Sequence, residues 1–89
     1  MNQYVYILYS ESGDRYYVGS TSDINKRLVK HNAGGTTSTK PYRPWKLVYY
    51  ESLDSKKSAL IREKQIKKMK SRVYIENLIA RTDGLESPD

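Results

Sequence analysis

The stretch Gln3–Ser20, QYVYILYSESGDRYYVGS, decides the fold. Aromatic and aliphatic residues fill Gln3 to Tyr9, the turn formers of SESGD follow, and RYYVGS resumes a strand pattern, so the segment reads as a β-hairpin. A two-residue turn at Ser12-Gly13 and a four-residue turn over Glu11–Asp14 give one register, with Tyr6 opposite Gly19 and Leu8 opposite Tyr17. A loop with an odd residue count would send every side chain to the other face. In this register Tyr6 and Tyr17 lie diagonally on one face, and Gly19 leaves space beside the Tyr6 ring. The chain has nine tyrosines and no phenylalanine. A strand that only had to pack would do so with Phe and no hydroxyl to satisfy, so Tyr6 and Tyr17 are candidates for chemistry as well as for packing.

Beyond the hairpin, STSDINKRLVKHN reads as a helix capped by Ser22 or Asp23, with Ile24, Leu28 and His31 on one stripe and Arg27 on or beside it. Residues 33–44, AGGTTSTKPYRP, are rich in Gly, Thr and Pro and read as a long, flexible, phosphate-contacting loop with Lys40 and Arg43 as its charges. They are not a P-loop, because no Gly-Lys-Ser/Thr follows the glycines. WKLVYYE, Trp45–Glu51, is a third strand. Asp54 or Ser55 caps a second helix whose apolar stripe is Ala59, Ile66, Met69 and Val73, with Leu60 at its edge; Glu63 falls in the inward arc, apart from Lys64 and Lys68. A short helix over residues 73–81 is expected last. Residues 1–80 then form one domain and 81–89 a disordered acidic tail.

Composition narrows the function. The chain has 89 residues and no cysteine, which excludes disulfides, thiolate metal sites and a thiol nucleophile. No segment reads as a leader or a membrane span, so a cytoplasmic protein is expected. Of the sixteen Lys and Arg, fifteen lie between Arg15 and Arg72, against four acids there. Such a field favours a polyanion, with nucleic acid first. Taken singly, each polar candidate has a plain structural reading: a strand Tyr packs, a lone His is a satisfied boundary group, Arg27 pairs with an acid, and Glu63 pairs with Lys67 one turn on.

In order, YVY at Tyr4–Tyr6, YVG at Tyr17–Gly19, Arg27, His31 and Glu63 resemble a GIY-YIG nuclease domain, and more narrowly the small standalone bacterial members of that family. The resemblance implies an α/β domain of the α+β kind: a three-stranded antiparallel sheet flanked by about three helices. It implies that Arg27 contacts the scissile phosphate, that Glu63 is the sole protein ligand of Mg2+ or Mn2+, and that Tyr6 and Tyr17 line the site, one of them orienting or activating water. His31 completes the site, and Asn77 contributes near the domain end. Lys67 and Lys70 join Lys40 and Arg43 as nucleic-acid-contacting charges. A tyrosine in this positive field would have its phenolate favoured, and His31 is the other candidate base. The implied activity is a metal-dependent endonuclease acting on DNA in preference to RNA, in repair or recombination, as a monomer or as part of a larger repair complex. The alternative is a non-catalytic nucleic-acid-binding module. Two departures stand out: Tyr4 replaces the name-giving glycine, and Ser20 stands where some members have a lysine.

Overall fold

The computed structural model describes residues 2–86, with side chains described as far as Arg81. Its elements are β1 (Gln3–Ser10), β2 (Arg15–Thr21), α1 (Ile24–Asn32), β3 (Trp45–Leu53), α2 (Lys56–Met69) and α3 (Arg72–Glu86), with a 3-10 turn at Lys40–Tyr42. The strands form an antiparallel sheet in the order β2-β1-β3. The hairpin takes the expected register, Tyr6 opposite Gly19 and Leu8 opposite Tyr17.

Because β1 is central and covered on both faces, its whole middle is apolar. Val5, Ile7 and Leu8 are fully buried and Tyr6 is 1% exposed. Val5 and Ile7 pack with Val18, Tyr49, Ala59, Ile66 and Leu78 on the side of α2 and α3. Tyr6, Leu8 and Trp45 pack on the other face with Ile24 and Leu28 of α1. The register between β1 and β3 slips between Ile7 and Leu8, which keeps Leu8 opposite Leu47.

Each helix is tied down by polar groups. Asp23 caps α1 by accepting from the Lys26 N–H at 3.0 Å, and Ser55 caps α2 by accepting from the Ser58 N–H at 3.1 Å. Arg62 of α2 grips Glu51 of β3 with two N–H donors, both at 2.9 Å, and the Tyr49 hydroxyl donates to the same carboxylate. Burial pushes the Glu51 carboxyl up, but these bonds outweigh it and hold it below the ordinary carboxylate range. Burial and the neighbouring carboxylate push Tyr49 up to about 12. Arg72 at the start of α3 donates to the Asp14 carboxylate at 2.6 Å and its carbonyl at 3.2 Å, fastening α3 to the hairpin turn.

The structure departs from the sequence reading in three places. The apolar stripe of the second helix stops at Ile66: Ala59 and Ile66 are each 1% exposed, whereas Leu60, Met69 and Val73 are 43%, 52% and 65% exposed. The cause is Lys70, whose φ of 47° puts it in the left-handed region and ends α2, so Val73 belongs to another helix. That last helix runs through Glu86, past the expected end at residue 81, and residues 87–89 of the expected tail lie outside the described residues. The segment over residues 33–44 is pinned to the body. Thr39 is 1% exposed, its carbonyl accepts from Trp45 Nε1 at 2.8 Å, and Ser10 Oγ donates to the Tyr42 carbonyl at 2.5 Å.

Lys70→Gly is expected to raise stability. Relief of the left-handed conformation, about 1–2 kcal/mol, outweighs the added unfolded-state entropy of about 0.5–1 kcal/mol. A lower urea midpoint than wild type would show that the Lys70 side chain stabilises the corner in some other way.

Candidate active site

The site forms where β2, the outer strand, lies between α1 and α2. Tyr6 comes up from central β1 beside Gly19, and the missing side chain there is a steric requirement: a Cβ at Gly19 would lie 2.5 Å from Tyr6 Oη and 3.1 Å from Tyr17 Cε2. The Tyr6 hydroxyl is 3.1 Å from His31 Nε2, and His31 Nδ1 is 2.9 Å from Thr39 Oγ1. Thr39 Oγ1 in turn donates to the Thr36 carbonyl at 3.3 Å. A carbonyl only accepts, so the chain has a direction. Thr39 gives its proton to Thr36, accepts from the Nδ1–H of His31, and leaves Nε2 as acceptor for the Tyr6 hydroxyl.

The remaining ring contacts close the pocket around His31. The Tyr17 ring centroid is 4.9 Å from that of His31 and 6.3 Å from that of Tyr6. On the α2 side, Glu63 is largely buried and both of its oxygens are engaged. Oε1 accepts from Ser20 Oγ at 2.8 Å, and Oε2 accepts from Lys67 Nζ at 2.7 Å. The Lys67 ammonium also stands 5.9 Å above the Tyr17 ring centroid.

The electrostatics bring in Arg27. Burial pushes the Tyr6 phenol up to about 12, with Tyr17 and Glu63 adding to the rise, while the charge and hydrogen-bonding reach of Arg27 pull the other way. Burial is the larger effect. In the metal-free protein Tyr6 is therefore a neutral phenol and proton donor, because burial outweighs the positive field of Arg27. Burial first, then Arg27 and Lys30, lower the His31 pKa, so its imidazole is neutral at physiological pH.

Tyr17, Arg27, His31 and Glu63 are thus grouped around the Tyr6 hydroxyl at the edge of β2, a cleft into which Lys67 reaches through Glu63 and the Tyr17 ring. Lys40 and Arg43 do not share it. They flank a separate depression with Asn32, Pro41 and Pro44, where Arg43 Nε donates to the Lys40 carbonyl at 2.9 Å. Lys70 sits at the α2–α3 corner on the far side of Lys67, and Asn77 is exposed on α3 and takes no part in the cleft's hydrogen bonds. Thr39 and Ser20 are functional neighbours that sequence patterning did not single out as contacts. Thr39 was one of four hydroxyls in TTST, and only the fold tells which of them turns inward. Ser20 marks the position where a lysine is found in some family members.

The oxygen-rich donor set suits a hard divalent cation. Among the described residues no three His, Asp or Glu side chains cluster, and Glu63, with the Ser20 hydroxyl at 2.8 Å, is the carboxylate that could hold such an ion, water or phosphate supplying the other oxygens. Residues 2–77 match the family profile described as the GIY-YIG catalytic domain. The chain belongs to the GIY-YIG family. Among its GIY-YIG relatives, a UPF0213 protein of Syntrophus aciditrophicus is 52% identical over 69 residues, 74% of this chain and 77% of that one. Another, from Staphylococcus saprophyticus, is 48% identical over 65 residues, 72% and 78% of the two chains. The solution NMR structure of the UPF0213 protein of Bacillus halodurans superposes with a TM-score of 0.57 at 36% identity, covering 90% of this chain and 84% of that one. The fold is thereby shared, and among the described residues no helix is long and apolar enough to cross a membrane.

The buried His31 gives a pH signature. An unfolded chain protonates this imidazole near pH 6.5, whereas the folded one resists until lower pH, so its contribution to stability is complete above about pH 6.5 and is lost as pH falls from there toward the folded value. Thermal melts from pH 7.5 to 5.5 should show wild type losing stability and His31→Gln staying nearly flat. Equal slopes in the two proteins would mean that His31 takes its proton without hindrance. Asp14 and Glu51, both lowered, act only below about pH 4.3.

Proposed function

We propose that this GIY-YIG protein is a metal-dependent endonuclease that hydrolyses phosphodiester bonds, in DNA before RNA, in the cytoplasm and in the service of repair or recombination. The observation that carries the reading is the grouping of Arg27, His31, Tyr17 and Glu63 around one buried hydroxyl, that of Tyr6. Every part that phosphodiester hydrolysis needs has a residue suited to it.

Arg27 supplies a planar, permanently charged fork for the phosphoryl oxygens. Glu63, with Ser20 beside it, would hold Mg2+ or Mn2+, which when bound neutralises charge on the phosphate and the leaving oxygen. Tyr6 uses the oxygen lone pairs left free by its bond to His31 to accept a hydrogen bond from water and align it for attack. As that water loses a proton to Tyr6 Oη, the Tyr6 proton passes to His31 Nε2. The free protein opposes this transfer, because burial first, and then Arg27 and Lys30, disfavour an imidazolium at His31. A substrate phosphate paired with Arg27 removes part of that opposition, so the relay is strongest with substrate in place. Tyr17 packs against His31 and keeps its ring in line.

Lys67 holds one Glu63 oxygen in the free protein, so it would compete with a metal for that carboxylate. That same ion pair is what a non-catalytic binding module would keep, so it also supports the second reading. Metal binding separates the two. In a Mn2+ titration followed by electron paramagnetic resonance, wild type should bind, Lys67→Met should bind about fivefold more tightly, corresponding to loss of a pair worth about 1 kcal/mol, and Glu63→Ala should not bind. No binding by wild type, with or without an oligonucleotide, would favour the module.

Cleavage is the direct test. With Mg2+ or Mn2+, Glu63→Ala should cut at least about a hundredfold more slowly than wild type while holding DNA as tightly in metal-free buffer, since removing an acid from a basic cleft costs no phosphate contact. If contaminant-free wild type cuts neither branched, single-stranded nor duplex DNA nor RNA with either metal, the enzyme reading fails.

A further inference from the structure

One of the cavities outside the cleft just described borders it through shared residues. It has a volume of about 450 Å³ and wraps the outer edge of β2, sharing Tyr17 and Lys67 with the cleft and reaching the corner between α2 and α3. Its inner wall is Tyr16, Val18, Ile66 and Ile75, and its rim carries Lys67 and Lys70. We propose that this pocket receives a single unstacked nucleobase of the substrate, from a nucleotide next to the scissile phosphate.

The wall is rigid and apolar. Val18 is 7% and Ile66 1% exposed, both belonging to the core beneath the sheet. Tyr16 is held on both sides, by the Tyr9 ring at 4.9 Å between centroids and by the Arg72 guanidinium at 5.3 Å from its centroid. Arg72 is itself fixed by Asp14 at 2.6 Å and Glu76 at 3.0 Å. The slot is therefore built before anything enters it, which lowers the ordering cost of binding. Its size falls in the range of pockets that take one small organic group, about 300–1,000 Å³.

The rim selects a phosphate-bearing occupant. Among the described residues Lys70 has no carboxylate partner, and the left-handed corner throws it to the pocket mouth. The strand edge adds hydrogen-bonding capacity. β2 pairs with β1 on one side only, so alternate backbone N–H and C=O groups along Arg15–Val18 face outward, in position to meet the polar edge of a base. An added protein strand would also use such an edge, but the apolar slot and the lysine rim suit a base with its phosphate better. Lys67 and Tyr17 join the two sites, so a chain whose phosphate lies at Arg27 and Glu63 has its neighbouring nucleotide at this mouth.

The inference rests on the reading that a phosphate sits at Arg27 and Glu63, yet its test does not depend on cleavage. Nitrogen-15 labelled protein in low-salt buffer with EDTA is titrated with tetrathymidylate and with an abasic chain of equal phosphate number, while amide shifts are followed. Tetrathymidylate should move the amides of Tyr16–Val18 and Lys70, and the abasic chain should leave those of Tyr16–Val18 in place. Ile75→Trp, which fills the slot without changing charge, should weaken tetrathymidylate binding about tenfold and leave abasic binding unchanged. Lys70→Gly, which suits the backbone at that corner, should weaken both chains. Identical shifts with the two ligands, or wild-type tetrathymidylate affinity in a folded Ile75→Trp protein, would overturn the pocket even if the protein cuts DNA. A positive titration with no cleavage would keep the pocket and refute the nuclease.

Discussion

The hydrogen bond from the Tyr6 hydroxyl to His31 is the constraint on which the site rests. A phenol at the centre of a sheet covered on both faces needs a partner, because an unpaired buried hydroxyl costs about 1–3 kcal/mol. The partner comes from α1, which fixes that helix over the sheet, and His31 needs Thr39 for its other nitrogen, which draws the following segment inward. The same bond requires a glycine on the neighbouring strand, since any side chain at Gly19 would collide with the hydroxyl. One polar atom thus sets the strand register, the helix position and the course of the loop.

The electrostatic arrangement follows from where charge is buried. Arg27 and Lys67 enter the cleft from α1 and α2, opposite each other across the edge of β2, and the acid between them is Glu63. Tyr6 stays protonated and His31 stays neutral for the same reason, burial, which pushes their pKa values in opposite directions. The two form an uncharged donor and acceptor in contact with a strongly cationic surface. A site of this kind does not repel an anion.

Much of this was legible in the chain. The hairpin register followed from an even loop and a period of two, and the inward position of Glu63 followed from helical spacing. Helical spacing placed Arg27 and His31 one turn apart on one side of the first helix, and the family resemblance suggested what they do. What was illegible depended on contacts made far along the chain. That Thr39 and not a neighbouring hydroxyl meets His31 depends on the 3-10 turn and on Trp45 holding its carbonyl. The break at Lys70 was hidden because a lysine in a run of lysines carries no stop signal, and the left-handed conformation there is imposed by how α2 and α3 dock. The protonation of Tyr6 turned on the balance of burial against charge, which needs coordinates.

The ion pair between Arg72 and Asp14 has a wider meaning for how the molecule is assembled. It joins residues 58 apart, and Ser20 with Glu63 joins residues 43 apart, so the cleft and its flanking pocket are closed by contacts between early and late parts of the chain. No fragment ending before α2 contains the carboxylate, and the hairpin alone has neither helix to set its tyrosines. A chain still emerging from the ribosome, or one cut within its later half, carries the conspicuous motif and none of the assembled site. Completion of the fold is itself what brings these side chains together.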